Sequence, residues 1–261
     1  MCVDRVGLEA IDSLTSDIVD LATRSDLAAS VPTCGDWTLA DLVWHMTEVQ
    51  NFWVHAIANR PQGPKTYQEP VRPAEGELAA TLDLARSRLL DALDGVDPAE
   101  HAWSWATSQT VGFTLRRQTH EALIHLVDAR LAVGSSLPDA APDLWADGID
   151  EVLVSFLSDL PDWARFERPS SSVVIRATDA DWMWRFTLGR RVGVEPESGQ
   201  DVDLPCLLQT DAADADATIS GDAASLDLWI WGRPVEPSAI SLEGHAGALS
   251  ELRTVIDQVM G

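Results

Sequence analysis

The sequence predicts a two-domain α+β protein, with a bundle of four helices first and then a smaller α+β domain whose sheet is mainly antiparallel. Four segments before Gly134 carry apolar residues at every third or fourth position, which is the period of amphipathic helices. Beyond the linker SSLPDAAPD, short alternating segments typical of strands are mixed with helices. We therefore predict one domain over residues 1–138 and a second over residues 139–261.

The helices of the first domain are predicted over residues 6–29, 38–59, 75–93 and 114–133. Thr38 is a suitable N-cap, and Asp41 three residues later completes a short capping box. Pro32 and Gly35 interrupt the chain before this second helix, and Gly134 ends the fourth. Four helices in this order are typical of a bundle.

The second domain begins with a helix predicted over residues 144–160. The segments SSVVIRATD and DWMWRFTLG alternate as two strands around a DAD turn, and CLLQTD, DATIS and ISLEG indicate further short strands. Helices are predicted over residues 223–231, ended by Gly232, and over residues 246–260. The second half is therefore predicted to be α+β.

Charge and cysteine content restrict the partners that the chain can have. Its formal charge is −24, from 42 acidic and 18 basic residues, and no cluster of Lys and Arg offers a surface to nucleic acid or an anionic membrane. The three cysteines, Cys2, Cys34 and Cys206, form no disulfide framework. The sequence shows neither a signal peptide nor a membrane span, so we expect a cytoplasmic protein, a monomer or a homodimer.

Two of the predicted helices carry side chains that together can bind a metal ion. Glu121 and His125 stand four residues apart, so on a helix they leave the same face one turn from each other. His45, on a facing helix, can supply a third ligand. This set predicts a divalent metal site with coordination positions left open, as in catalytic zinc sites. The ordinary alternatives are a hydrogen-bonded core histidine at position 45 and a surface ion pair between Glu121 and His125.

A row of polar side chains on the fourth helix supports the metal hypothesis. Gln118, Glu121 and Asp128 lie beside His125 at the edge of the apolar stripe, where we expect them to turn towards the flank of the bundle. Polar groups next to a core need hydrogen bonds or a metal. We predict no metal role for the remaining histidines, which are His55, His101, His120 and His245.

Several stretches resemble the mycothiol-dependent maleylpyruvate isomerase family, in the same order and over nearly the whole chain. They are VPTCGDWTLADLVWHMTEVQNFW, RRQTHEALIHLVDA, DATISGDAASLDLWIWGR and ISLEG. The resemblance implies a DinB-like bundle that holds zinc or another divalent metal through His45, Glu121 and His125. It also implies a C-terminal domain similar to sterol carrier proteins, mycothiol as cofactor, and an actinobacterial host.

The chemistry expected of such a site is nucleophilic attack by a thiol. A divalent cation stabilises the thiolate of a thiol bound at its open position. Addition of that thiolate to a conjugated double bond permits rotation, and its elimination gives the trans isomer, whereas transfer without elimination gives a thiol S-transferase. The sequence leaves both outcomes open, and we expect a small electrophilic substrate that bears a carboxylate.

Three further residues are candidates for roles around the metal. Arg233 is the first candidate cation for an acidic substrate, although it can equally be a charge partner at the end of a helix. Arg117 is the next, and we assign it to binding the thiol cofactor. Asp128 either orients the His125 imidazole or is an exposed carboxylate. Cys34 is better explained as a structural thiol than as a nucleophile.

Two hypotheses from other functional classes compete with an enzyme. The chain can be a non-enzymatic protein whose C-terminal domain holds an apolar small ligand among its tryptophans, with a structural or vestigial metal site. It can also be a metal-free regulatory relative, although the presence of His45, Glu121 and His125 argues against that.

Overall fold

The computed structural model describes residues 3–260, so Cys2 lies outside the described residues. The chain divides into two compact units, Met1–Asp139 and Ala140–Gly261. The first unit is helical, and the second combines helices with a sheet.

The first unit is a bundle of helices α1 (Val3–Arg24), α2 (Leu39–Ala58), α3 (Leu78–Leu93) and α4 (Val111–Ala132). The four predicted helices are thus confirmed, but α1 ends earlier than we predicted. Its last helical bond runs from the Ser25 N–H to the Leu21 carbonyl. Asp26 then accepts a hydrogen bond from the Ala28 N–H at 3.0 Å, a local turn that competes with continued helix.

Side-chain caps fix the starts of the two helices that carry the candidate ligands. The Thr38 side chain accepts a bond from the Asp41 N–H, and the Asp41 carboxylate accepts one from the Thr38 N–H, which confirms the predicted capping box of α2. Thr110 caps α4 through a bond from the Phe113 N–H at 3.2 Å. Gly134, at φ +68°, follows the end of α4 as predicted.

Two apolar clusters fill the bundle and show the directions of its helices. Ile18, Leu42 and Leu126 belong to one cluster. Ile11 and Trp53 belong to the other. Helices α1 and α4 therefore run from the second cluster towards the first, while α2 and α3 run the opposite way. The N-terminal part of α2 consequently faces the C-terminal part of α4, which brings the turn of His45 beside the turns of Glu121 and His125.

The second unit contains helix α5 (Pro142–Asp150) with a π-helical segment (Glu151–Phe156) directly after it, a six-stranded sheet, and helices α6 (Ala223–Ile230) and α7 (Ala246–Met260). The strands are β1 (Ala164–Glu167), β2 (Ser172–Ala177), β3 (Met183–Val194), β4 (Asp201–Gln209), β5 (Ala217–Gly221) and β6 (Ile240–Gly244). Their order is β1-β3-β2-β5-β6, and β4 also pairs with β3. Only the pairing of β2 with β5 is parallel among these strands, which confirms the predicted α+β fold class with a mainly antiparallel sheet.

Three elements of the second unit differ from the sequence-based prediction. The helix predicted over residues 144–160 leaves α-helical geometry after Asp150. Strand β1 was missed, because its four residues show no clear alternation and it pairs where Gly193 lets the backbone come close. Strand β4 begins at Asp201, well before CLLQTD, and includes Pro205, which an edge strand tolerates.

Among the helices of the described chain, none is long and apolar enough to cross a membrane.

Candidate metal centre

The bundle brings the three predicted ligands together. The His45 Nε2 atom of α2 lies 3.2 Å from Glu121 Oε1 of α4. The His125 Nε2 atom lies 3.3 Å from the same oxygen. The two imidazole rings meet edge to face with centroids 4.9 Å apart. One donor atom from each residue lies within 4.8 Å of the others, so both histidine nitrogens converge on one carboxylate oxygen.

This donor set fits a divalent metal. Ligand atoms at about 2.0–2.1 Å from a tetrahedral zinc are about 3.3 Å from one another, which matches the two distances from Glu121 Oε1. Two imidazoles and a carboxylate are also the ligand types that catalytic zinc sites use. The His45 side chain is 30% exposed and that of Glu121 is 16% exposed, so the cluster opens to solvent on the side of His45.

Asp128 fixes the orientation of the His125 imidazole. Its Oδ2 atom lies 3.0 Å from His125 Nδ1, and its side chain is fully buried. An ionised carboxylate only accepts hydrogen bonds, so Nδ1 carries the proton and the Nε2 atom faces Glu121. Thr33 donates to Asp128 Oδ1 at 2.6 Å. The Cys34 thiol lies 3.6 Å from Asp128 Oδ2.

Arg117 fixes the other side of Glu121. Its Nη2 atom donates to Glu121 Oε2 at 2.8 Å, which leaves Oε1 for the two histidines. Burial by itself would raise the pKa of Glu121, but Arg117 and then the two imidazoles outweigh it and hold this pKa well below its usual range. Burial likewise opposes charge on His125, yet hydrogen bonds with Asp128 and Glu121 raise the pKa of His125 to about 9.

The loop before α2 contributes residues to which sequence reasoning gave no role at the site. Val31 donates its N–H to the Trp37 carbonyl at 2.8 Å, which closes a tight loop. Gly35 occupies the left-handed region of that loop, at φ +62°. The loop places Thr33 beside Asp128, and the Trp37 ring lies 5.0 Å from that of His45. The capping box at Thr38 is the sequence feature that could have indicated these residues, because it anchors their loop directly before the helix that carries His45.

The other predicted residues lie as follows. Gln118 is 1% exposed and Asp128 is fully buried, so the polar row of α4 turns inward and not towards the flank as we expected. His120 is also buried, at 3% exposed. Arg233 belongs to the second unit, where it donates to the Trp231 carbonyl at 2.7 Å and lies against the Trp231 ring. Its substrate role and the thiol-binding role of Arg117 stay predictions.

The fold and the site together define a class of two-domain proteins. In this class a helical bundle carries a His–Glu–His cluster that can hold a metal, and an α+β domain follows it. Residues 8–130 match the family model described as the mycothiol maleylpyruvate isomerase N-terminal domain. Residues 143–251 match the model of the C-terminal domain of the same isomerase. The chain therefore belongs to the mycothiol-dependent maleylpyruvate isomerase family.

Solved structures agree with this assignment at the level of the fold. The crystal structure of a mycothiol-dependent maleylpyruvate isomerase superposes with a TM-score of 0.60, at 14% sequence identity and covering 93% of each chain. A mutant of that enzyme with a histidine replaced by alanine gives a TM-score of 0.59, with the same identity and coverage. No curated protein matches the sequence significantly.

Proposed function

We propose that the protein is a cytoplasmic zinc enzyme that uses mycothiol to isomerise a small electrophilic carboxylate, or to transfer the thiol to it. The observation that carries this proposal is the convergence of His45 and His125 on one oxygen of Glu121, at tetrahedral ligand spacing. Membership of the isomerase family supports the same reaction class.

His45, Glu121 and His125 would hold the metal ion. When bound with an open position, such an ion lowers the pKa of a coordinated thiol and supplies a thiolate nucleophile. The 30% exposure of the His45 side chain provides the open side from which thiol and substrate approach. The Trp37 ring contacts the same imidazole, with the two ring centroids 5.0 Å apart.

Asp128 and Arg117 are positioning residues in this proposal. Asp128 holds the proton on His125 Nδ1, so the ring orientation that directs Nε2 into the site is fixed. Arg117 holds Glu121 Oε2, so Oε1 keeps its place between the two imidazoles. The ligand geometry is thus set by neighbours within the bundle before any ion binds.

Arg233 is the proposed partner of the substrate carboxylate. A chain with a formal charge of −24 repels small anions, so an acidic substrate needs a local cation. Replacing Arg233 by Met should therefore raise KM for the carboxylate substrate by about tenfold or more, with metal content unchanged. An unchanged KM would remove Arg233 from the substrate site.

Metal content is the first test. Elemental analysis of the wild-type protein should give about one zinc per chain, and the double variant His45→Ala, His125→Ala should lose it while circular dichroism shows intact helices. His55→Ala is the matched control, because His55 is a half-buried histidine of the same helix that bonds Asn59 and Thr66. A wild-type protein that stays metal-free after incubation with zinc would contradict the proposal.

Product analysis separates the two reaction outcomes. The zinc-loaded protein is incubated with maleylpyruvate and mycothiol, and the products are followed by NMR. Recovery of the trans isomer with the thiol unchanged identifies an isomerase, and a stable thiol adduct identifies an S-transferase. Metal binding without either product would favour the alternative of a non-enzymatic binding protein with a structural metal.

A further inference from the structure

A segment of the connection between α2 and α3 runs along the outside of α2, beside the candidate metal centre. We call residues 66–72 of this connection the strap, which contains no helix or strand. At its C-terminal end the Arg72 Nη1 atom donates to Asp41 Oδ1 at 2.7 Å. This ion pair fixes the strap to the first turn of α2, directly before the turn that carries His45.

Two further contacts fix the other end of the strap to α2. The Tyr67 hydroxyl donates to the Glu48 carbonyl at 3.3 Å, and the Tyr67 ring meets that of Phe52 edge to face, with centroids 5.3 Å apart. Burial raises the pKa of Tyr67, so its hydroxyl stays protonated and remains a donor. The Thr66 hydroxyl lies 3.2 Å from His55 Nε2. The strap is therefore held at both ends by the same helix.

The positions of these contacts place the strap beside His45. Asp41, His45 and Glu48 follow one another at spacings of four and three residues, so they lie along one face of α2. Residues 68–71 connect the contact at Asp41 with the contact at Glu48, and so they pass the turn of His45. The strap thus borders the side on which the His45 side chain is 30% exposed.

The sequence of the strap makes it stiff. Pro70 lies within it and Pro73 follows it, and each ring holds its own φ near about −65°. Each proline also restricts the residue before it, Glu69 or Arg72, to an extended conformation. A stiff segment with contacts at both ends keeps its place without help from a ligand, which is the property of a preorganised wall.

We propose that the strap is a fixed wall of the entrance to the metal cluster and limits the width of the molecules that reach His45. This inference rests on the proposed metal site, to which it adds a determinant of specificity. Arg72 and Tyr67 are separate from the ligands His45, Glu121 and His125. The strap can therefore be loosened while the cluster stays in place.

Chemical labelling of His45 in the metal-free full chain tests whether the strap covers it. Diethyl pyrocarbonate modifies accessible imidazoles, and peptide mass spectrometry locates the modified residue. In the double variant Tyr67→Ala, Arg72→Met, His45 should react about threefold faster or more than in wild type, since a protecting segment has been released. His101 and His245 are exposed and should react at unchanged rates.

Two other variants control for a general loss of structure. Pro70→Gly leaves every contact of the strap in place and removes only its stiffness, so it should accelerate labelling of His45 by a smaller factor. Arg130→Met removes an ion pair of the same length, 2.7 Å, with Asp17, and should leave the rate unchanged. The Arg130 side chain leaves α4 about 140° away from that of His125 on an ideal helix. Equal labelling of His45 in wild type and both strap variants would overturn the proposal.

A pair of uncharged thiols tests the limit on width at the loaded metal site. Co²⁺ accepts the same ligand types as zinc, and its thiolate complexes absorb in the near ultraviolet, so titration measures thiol binding without catalysis. The double variant should bind the broad thiol 1-thioglucose about threefold more tightly or better than wild type, and the narrow 2-mercaptoethanol with unchanged affinity.

The two measurements separate this inference from the proposed function. An equal gain for both thiols would overturn the limit on width, because the strap would then act on the metal itself. A wild-type chain that binds no Co²⁺ would contradict the proposed metal enzyme. Faster labelling of His45 in the metal-free strap variants would still support the strap as the wall beside His45.

Discussion

The charged side chains beside the metal cluster of the bundle differ from those on the sheet surface of the second unit. In the bundle, Arg117 is 4% exposed and Asp128 is fully buried, and both contact residues of the metal cluster. In the second unit, Arg190 and Arg168 meet Asp203 on the surface, where their side chains are 36% and 55% exposed. Buried charges depend strongly on their partners and surface charges do not. Arg117 and Asp128 therefore hold the residues of the cluster in one fixed geometry, which is what a metal site requires.

Breaking the buried pair of Arg117 and Glu121 is the strongest test of this comparison. Replacing Arg117 by Met leaves a largely buried carboxylate without its guanidinium, so we expect the free energy of unfolding to fall by about 3 kcal/mol. Zinc should restore part of the loss, because a cation at Glu121 again compensates its charge. Urea denaturation with and without zinc measures both effects.

Two variants calibrate this result. Arg130→Met removes a more exposed ion pair with Asp17 and should cost about 1 kcal/mol or less. The double variant Arg117→Met, Glu121→Gln should be more stable than Arg117→Met alone, since the charge that Arg117 compensated at position 121 is removed as well. The stability losses of the single variants Arg117→Met and Glu121→Gln should therefore not add up in the double variant. If they did add, Arg117 would stabilise the fold through its packing and not through its charge.

The next effect concerns the hydrogen bond that the Nδ1–H of the ligand His125 donates to Asp128. Asp128→Asn removes the negative charge that holds the His125 Nδ1 proton, so zinc affinity should fall about 10- to 100-fold. Chelator competition measures this affinity. Asp17→Asn, at a carboxylate that is 46% exposed, is the control and should leave it unchanged. Equal affinities of wild type and Asp128→Asn would show that packing alone orients His125.

Local spacing explains which parts of the site the sequence could predict. Glu121 and His125 are one helical turn apart, so any helix at this place brings them together. Asp128 follows His125 by three residues, so the same spacing made a contact with the imidazole one of the two alternatives for Asp128. Thr33 and Trp37 reach the site only because the loop before α2 folds back on α4, a contact that spans 95 residues from Thr33 to Asp128. The inward turn of Gln118 likewise depends on how the helices pack.

The second unit shows the corresponding limit for strands. The alternation of β2 predicted a strand, but the pairing of β1 with β3 depends on a close approach that no periodicity reveals. The π-helical segment could not be predicted either, because its residues have the same apolar pattern as an α-helix. The pairing of strands that are distant in the sequence therefore becomes known only from the structure.

The close approach of β1 and β3 predicts an effect confined to the second unit. A Cβ atom at Gly193 would lie 2.6 Å from the Trp163 carbonyl oxygen and 3.0 Å from the Ala164 Cα atom, so Gly193→Ala must move the backbone of β1. We expect a loss of about 1–3 kcal/mol in the unfolding free energy of this unit. Hydrogen exchange should accelerate in β1 and β3, while zinc affinity stays unchanged. Gly247→Ala meets nothing within 4 Å and should be tolerated.

The smallest expected effect lies at the start of the ligand helix α2, one turn before His45. Hydrogen bonds from the Thr38 N–H and hydroxyl, together with Arg72, lower the pKa of Asp41 from 3.8 to about 2. A lowered pKa means that the ionised carboxylate stabilises the fold above about pH 4 and that this stabilisation is lost as the pH falls towards the folded-state value. The melting temperature of wild type should therefore exceed that of Asp41→Asn at pH 6, and the difference should shrink towards pH 2.

Replacing Thr38 by Ala removes the hydroxyl donor, so in that background the pH-dependent difference should be smaller. A difference that stays constant from pH 6 to pH 2 would mean that Asp41 acts through its shape, and that the helix carrying His45 does not depend on this charge.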